Sequence, residues 1–196
     1  MRRAFRLAFI ASVFLATTST SRAGFVYTAV LSGPAEAPPN ASPGAGFTVV
    51  EIDTTAHTLR VQTTFSGLLG TTTASHIHSA TATPGVGNVG VATQLPSFSG
   101  FPLGVSSGTH DATFDTTLAS TWNPAFITAN GGTPLGAEAS LAAGLAAGRA
   151  YLNIHTNLFP GGEIRGFLQP VPEPTGFVLA AVGVGCLLLA RRKSVA

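Results

Sequence analysis

Cysteine and charge are both scarce in this sequence of 196 residues. It has one cysteine, and only 9% of its residues are charged, against roughly a quarter in an average soluble domain. A single cysteine excludes an internal disulfide framework, a cysteine-rich zinc finger and an iron–sulfur cluster held by four thiolates. Any bound metal ion must therefore use histidine and oxygen ligands.

The charges that exist are concentrated at the two ends of the chain. The isoelectric point of about 9.2 would by itself suit a nucleic-acid partner. Yet the interval 24–172 carries only three basic residues, Arg60, Arg149 and Arg165, against seven acidic ones. Because this interval is net acidic, it repels phosphate backbones, and nucleic acid is excluded as a partner.

The first 23 residues have the three parts of a secretory signal peptide. A basic start with Arg2 and Arg3 leads into an apolar segment, 7–16, and a polar tail that ends at Ala23. This apolar segment is too short to span a bilayer, so the sequence predicts cleavage after Ala23 by signal peptidase rather than a lasting membrane anchor. The arginine pair leaves the twin-arginine export route open beside the general one.

Residues 170–196 contain a second targeting pattern. The run Pro172-Glu173-Pro174 precedes an apolar segment, 175–190, and a basic cluster that begins with Arg191 and Arg192. This order resembles the PEP-CTERM sorting signal of Gram-negative bacteria. The resemblance implies a precursor held in the inner membrane by a single hydrophobic helix, with the basic end in the cytoplasm. It also implies processing by an exosortase, which releases the protein to the cell surface or the extracellular matrix.

Between these ends, residues 24–169 form one predicted domain rich in strand signals. Apolar and polar residues alternate in short runs separated by glycine and proline, which predicts an antiparallel β-sandwich or barrel. The segment 53–56 indicates a hairpin turn, and the return strand places Leu59, Val61, Thr63 and Phe65 on one face. Only residues 137–147 have a helical composition, so one short helix is expected.

Several blocks of this interval, taken in order, resemble the CHRD domain. They are Leu31-Ser32-Gly33 with Glu36 and Pro38-Pro39, then Phe65 to Leu68, Ser75 to His78, Tyr151 to Thr156, and Pro160 to Gly166. The resemblance extends from Phe25 to Gln169 and implies an all-β, immunoglobulin-like sandwich of Greek-key type with no established enzymatic activity. It names no ligand. Motifs for a serine nucleophile or a phosphate-binding loop do not occur, so catalysis has no positive support.

Two of the predicted strands place histidines on a shared face. His76 and His78 flank Ile77, and a second strand repeats the pattern around Ile154. Because strand side chains alternate, isoleucines that enter the core leave the histidines projecting outward together. The predicted ligands of a Zn²⁺ or Cu²⁺ ion are His76, His78 and His155, with Asn153 and Glu163 as further candidates. The alternative is a solvated polar face of the kind any one-sided sheet shows.

Aromatic residues in predicted loops support a different hypothesis. Trp122 and Phe126 lie in connections rich in glycine and proline, and exposed rings there could stack on the sugars of an extracellular polysaccharide. The alternative is that these rings fold back and cover the ends of the sandwich. The sequence therefore predicts an exported, non-enzymatic surface or matrix protein, with metal binding as its leading activity and polymer adhesion as the alternative.

Overall fold

The computed structural model describes residues 24–172, which contain eight strands and two α-helices. In chain order these are β1 (Phe25–Ser32), β2 (Ala45–Asp53), β3 (Thr58–Ser66), β4 (Thr72–His78), β5 (Gly108–Asp115), α1 (Pro124–Ala129), α2 (Pro134–Ala146), β6 (Tyr151–Thr156), β7 (Ile164–Phe167) and β8 (Gln169–Pro170). Within the described residues, no helix is both long enough and apolar enough to cross a membrane.

The two targeting patterns fall almost wholly beyond this range. The predicted cleavage site at Ala23 lies outside the described residues, as do Glu173, Pro174, Arg191 and Arg192 and the apolar segment between them. Pro172 is the last described residue and is exposed. The domain boundary at 24 and the sorting pattern therefore stay predictions.

The strands form one antiparallel sheet rather than two separate ones. Hydrogen bonding runs in the order β4-β6-β7-β1-β2-β3-β5, and the short β8 pairs with β1. Buried residues from all parts of this sheet belong to a single apolar cluster, from Leu31 and Leu59 to Ile77 and Ile154, so the sheet curls around one core. The mainly β, antiparallel class is confirmed, whereas the two-sheet sandwich is not.

The long loop 79–107 covers the outer edge of β4. The backbone N–H of Ala92 donates to the carbonyl of Ile77 (2.9 Å), and that of Phe98 donates to the carbonyl of Ser75 (3.2 Å). Edge strands with free N–H and C=O groups invite pairing with other chains. This loop satisfies those groups within the domain, and it also brings backbone carbonyls over one face of β4 and β6.

The predicted hairpin between β2 and β3 is present. Asp53 Oδ1 accepts hydrogen bonds from the backbone N–H groups of Thr55 and Ala56, both at 2.8 Å, which is the local turn that aspartate favours. Asp53 then pairs with Thr58 across the strands. Since the register is fixed there, the alternating residues of β3 from Leu59 to Phe65 face the core, as expected.

Residues 24–172 contain two α-helices, whereas the sequence predicts one in this domain. Helix α2 corresponds to the predicted helix but begins earlier, at Pro134, where the side chain of Thr133 accepts a hydrogen bond from the N–H of Gly136 (3.1 Å). Helix α1 lies in a segment whose glycine and proline content predicts a loop. Asn123 caps it and Pro124 opens it, which is a normal helix start.

Candidate metal centre

Neighbouring strands bring the three predicted histidines together. In the antiparallel pair of β4 and β6, His76 lies opposite Asn153, and His155 lies opposite Ala74. Alternation then places His76, His78 and His155 on the same face. One ring nitrogen from each of the three lies within 4.8 Å of those of the other two. Among residues 24–172 this is the one group of three or more metal-ligating side chains with that spacing.

Most of this face is buried, contrary to the expectation that the histidines project outward, and only His155 is partly exposed. His76 is 5% exposed, and His78 and Asn153 are similarly enclosed. The isoleucines on the opposite face enter the core as expected. The physical reason is that the loop 79–107 and the turn between β6 and β7 fold over the polar face, so both faces of this part of the sheet are covered.

Each imidazole donates one hydrogen bond to a backbone carbonyl of these covering segments. The pairs are His76 Nε2 to Pro96 (2.7 Å), His78 Nδ1 to Val89 (2.8 Å) and His155 Nδ1 to Pro160 (2.8 Å). Because a carbonyl oxygen can only accept, the ring nitrogen that faces it carries the proton. The other nitrogen of each ring is then an unprotonated lone pair, and the same contact fixes the orientation of the ring.

Two of these remaining nitrogens have no hydrogen-bond partner. His76 Nδ1 and His155 Nε2 are both buried and unpaired, whereas His78 Nε2 lies 3.1 Å from Asn153 Oδ1. A buried polar atom without a partner costs about 1 to 3 kcal/mol, and most such atoms in folded proteins are satisfied. Three inward lone pairs at this spacing form an arrangement that a cation would satisfy.

Burial keeps the three rings neutral near pH 7. Desolvation lowers the pKa of His76 to about 4, and it also lowers the pKa of His78 and of His155. The backbone carbonyls act in the opposite direction but are outweighed. Since a histidine must be unprotonated to bind a metal ion, this electrostatic environment favours the ligand form of all three.

Aromatic stacking holds the ring of His78 in place. The Tyr151 ring lies parallel to it, with ring centroids 4.7 Å apart and planes inclined by 5°. The guanidinium carbon of Arg165 lies 4.8 Å from the centroid of the Tyr151 ring. This stack leaves the His78 ring edge, with its Nε2, facing the other two histidines.

Glu163 is not part of this group. It precedes β7, where the strand alternation has not yet begun, and its carboxylate lies with Thr156, whose side chain points to the opposite face from His155. Its oxygens also accept hydrogen bonds from Ser42 Oγ (2.6 Å) and from the backbone N–H groups of Leu69 and Gly70. Burial alone would raise its pKa, but these hydrogen bonds together lower it. These bonds hold the carboxylate apart from the histidines, so the structure does not bring Glu163 together with His76, His78 and His155.

A different carboxylate, that of Glu36, lies behind Asn153, and the sequence does not predict its place in the site. Glu36 is 6% exposed, and its Oε1 has no hydrogen-bond partner. Burial raises its pKa to about 7, and the Arg165 guanidinium, with Nε 3.8 Å from Oε2, opposes that shift. The only sequence signal was the place of Glu36 in the first block of the family resemblance, because no periodic pattern points to it.

The loop aromatics are buried, which contradicts their role as exposed sugar platforms. Trp122 is 2% exposed and Phe126 is 8% exposed. The two rings stack with centroids 6.2 Å apart, and Trp122 Nε1 donates to the carbonyl of Thr116 (2.9 Å). The hydrophobic effect explains the difference, since α1 carries Phe126 into the core instead of leaving it in a loop.

Comparison with known proteins gives one family match. Residues 27–168 match the family described as CHRD domain. No curated protein and no solved structure matches the chain.

Proposed function

Since the chain belongs to the CHRD domain family, we propose that its domain is a non-enzymatic module that binds one divalent metal ion through His76, His78 and His155. The observation that carries this proposal is the pair of buried, unpaired nitrogens, His76 Nδ1 and His155 Nε2, beside His78 Nε2. A solvated polar face would not leave ring nitrogens unpaired and out of contact with water. A bound cation removes that cost at both atoms and also binds the lone pair of His78 Nε2.

The donor set favours zinc or copper. Three imidazole nitrogens with further positions open are a common shell for Zn²⁺, and imidazole also suits Cu²⁺. The backbone carbonyls that hold the rings are of the kind found behind metal-bound histidines, where they fix the tautomer. Magnesium and calcium are disfavoured because both prefer shells made of oxygen.

Calorimetric titration of the full chain tests the proposal. After treatment with EDTA and removal of the chelator, the wild-type protein should bind one Zn²⁺ or one Cu²⁺ per chain. The His78→Ala variant should bind far more weakly, since it loses one of three ligands. His57→Ala is the matched control, because His57 pairs with Glu138 instead of the cluster. A wild-type chain that shows neither binding heat nor a thermal shift with either metal would refute metal binding.

We also propose that the protein works outside the cytoplasm. The support is the tripartite pattern at each end of the sequence, with residues 1–23 removed by signal peptidase and the tail handled by an exosortase. The precursor would be held in the inner membrane and the product delivered to the cell surface or the extracellular matrix. Mass spectrometry of the mature protein should find Gly24 at its start and no residues beyond the sorting motif. An intact 196-residue chain in the cytosol would contradict export.

Polysaccharide binding is the second candidate, now on a different surface. Phe47 is 48% exposed on the outer face of β2 and β3, where it borders a depression of about 290 Å³ that Gln62 and Asp111 also line. An exposed ring beside planar hydrogen-bonding groups suits a sugar. Retention on extracellular polysaccharide should fall in Phe47→Ala and persist in Phe25→Ala, an exposed phenylalanine that does not line the depression. Equal retention of both variants would exclude this surface.

A further inference from the structure

The side-chain amide of Asn153 directs its oxygen, a hydrogen-bond acceptor, toward the unprotonated ring nitrogen of His78. Asn153 Oδ1 lies 3.1 Å from His78 Nε2. The proton of His78 is on Nδ1, because that atom faces the carbonyl of Val89. Two acceptor atoms therefore face each other in a buried site, an arrangement that is unfavourable unless a cation lies against both.

The orientation of the Asn153 amide depends on Glu36, which lies on the side of the amide away from His78. Asn153 Nδ2 and Glu36 Oε1 lie 2.8 Å and 2.5 Å from the point that a Cβ on Gly162 would occupy. Gly162 has a φ of +128° and no side chain, so the amide nitrogen and the carboxylate oxygen border the same space, which a side chain there would fill. A carboxylate oxygen attracts the N–H side of an amide and repels its oxygen. Glu36 therefore favours the orientation in which Oδ1 faces the histidines.

Glu36 is itself held in place. The guanidinium of Arg165 lies beside it and donates hydrogen bonds to the carbonyls of Ala35 (2.5 Å) and Gly87 (3.1 Å) and to Asn88 Oδ1 (2.6 Å). Arg165 also lies opposite Asn153 in the pairing of β6 with β7. The carboxylate thus has a fixed position relative to the amide, and its Oε1 has no competing partner.

We propose that Asn153 Oδ1 is a fourth ligand of the ion and that Glu36 is the positioning residue that directs this oxygen toward it, an inference that rests on the metal binding proposed above. The shell then contains three imidazole nitrogens and one amide oxygen. Glu36 does not touch the ion. It acts through Asn153, as carboxylates behind metal ligands commonly do.

A double-mutant cycle on the full chain separates positioning from a structural effect. Glu36→Gln should weaken Zn²⁺ affinity by about 10- to 100-fold, which is the range for groups behind a ligand. Asn153→Asp presents an oxygen whichever way its side chain turns, so in that background Glu36→Gln should cause no loss. Glu138→Gln is the matched control, because Glu138 is equally buried but bonds His57 and Thr116.

The absorption spectrum of bound Co²⁺ reports the ligand set directly. Asn153→Ala should change the visible bands and weaken binding, whereas Asn153→Asp should retain both a four-ligand spectrum and the affinity. This pair tests the ligand even if Glu36→Gln fails to fold. A wild-type chain that binds Zn²⁺ while Asn153→Ala and Glu36→Gln match its affinity and spectrum would overturn this inference alone. Equal losses from Glu36→Gln in both backgrounds would overturn the positioning role. A wild type that binds no metal refutes the proposed function and this inference with it.

Discussion

Acid should destabilise the metal-free protein through His76. This ring is buried against the loop 79–107, where its Nε2 donates to the carbonyl of Pro96. Burial lowers its pKa from the ordinary 6.5 to about 4. In the unfolded chain the same imidazole is solvated and titrates near 6.5.

The sign and size of the effect follow from proton binding. Between pH 6.5 and about 4, the unfolded chain binds a proton at His76 and the folded chain does not. The free energy of unfolding therefore falls as the pH falls through this window. Above pH 6.5 the contribution of His76 to that free energy no longer changes with pH. The full pKa difference corresponds to about 3 kcal/mol, a large part of the roughly 5 to 15 kcal/mol that stabilises a typical domain.

Urea denaturation of the EDTA-treated full chain at pH 7 and pH 4 measures this loss. His76→Phe keeps a planar ring but cannot titrate. The wild type should lose about 3 kcal/mol more than this variant between the two pH values, because His78 and His155 remain in both proteins and their contributions largely cancel. An equal pH dependence of the two proteins would refute the conclusion that burial keeps His76 neutral.

Three other changes have defined outcomes. Zn²⁺ at about 100 times its dissociation constant should stabilise the wild type by about 2.7 kcal/mol, or about 5 to 10 °C in melting temperature, and should leave His155→Ala unchanged in a thermal scan. Trp122→Ala should lose about 3 to 5 kcal/mol in urea denaturation, because its ring is buried, without altering retention on polysaccharide. Glu163→Ala should lose more than about 3 kcal/mol by the same assay, since it leaves buried donors such as Ser42 Oγ and the N–H of Gly70 unsatisfied.

Local patterns in the sequence were sufficient for the strands and for the faces of their side chains. Alternation placed Leu59 and Phe65 toward the core, and Asp53 marked the β2–β3 turn. These features depend on neighbours a few residues away. The continuous single sheet depends on pairings such as β1 with β7, which no local pattern encodes. The helix α1 was missed because its glycine- and proline-rich surroundings hid the start signal at Asn123 and Pro124.

Alternation fixes which side chains share a face but not what covers that face. It placed His76, His78 and His155 together, and the structure does the same. Their burial depends on the loop 79–107, which has no periodic pattern and attaches through backbone contacts. The position of Glu36 also depends on the tertiary fold. Glu36 follows the turn Gly33–Ala35, and no local pattern places it beside the histidines. Alternation does not govern Glu163, because this residue precedes β7 and its carboxylate bonds Thr156 instead of joining the histidines.

Histidines at alternating strand positions are common on protein surfaces, and here the chain that covers them makes them a candidate metal site. On an exposed sheet, water would satisfy both nitrogens of each imidazole, and histidines at this spacing would titrate near their ordinary pKa. Here the carbonyls of Val89, Pro96 and Pro160 each bind one nitrogen, and the covering chain excludes water from the other. The carbonyl contacts therefore fix the tautomers, burial under the same chain lowers the pKa values, and His76 Nδ1 and His155 Nε2 are left without partners. Because these effects require the loop 79–107 and the β6–β7 turn to cover the histidines, metal binding and this packed arrangement should stabilise each other.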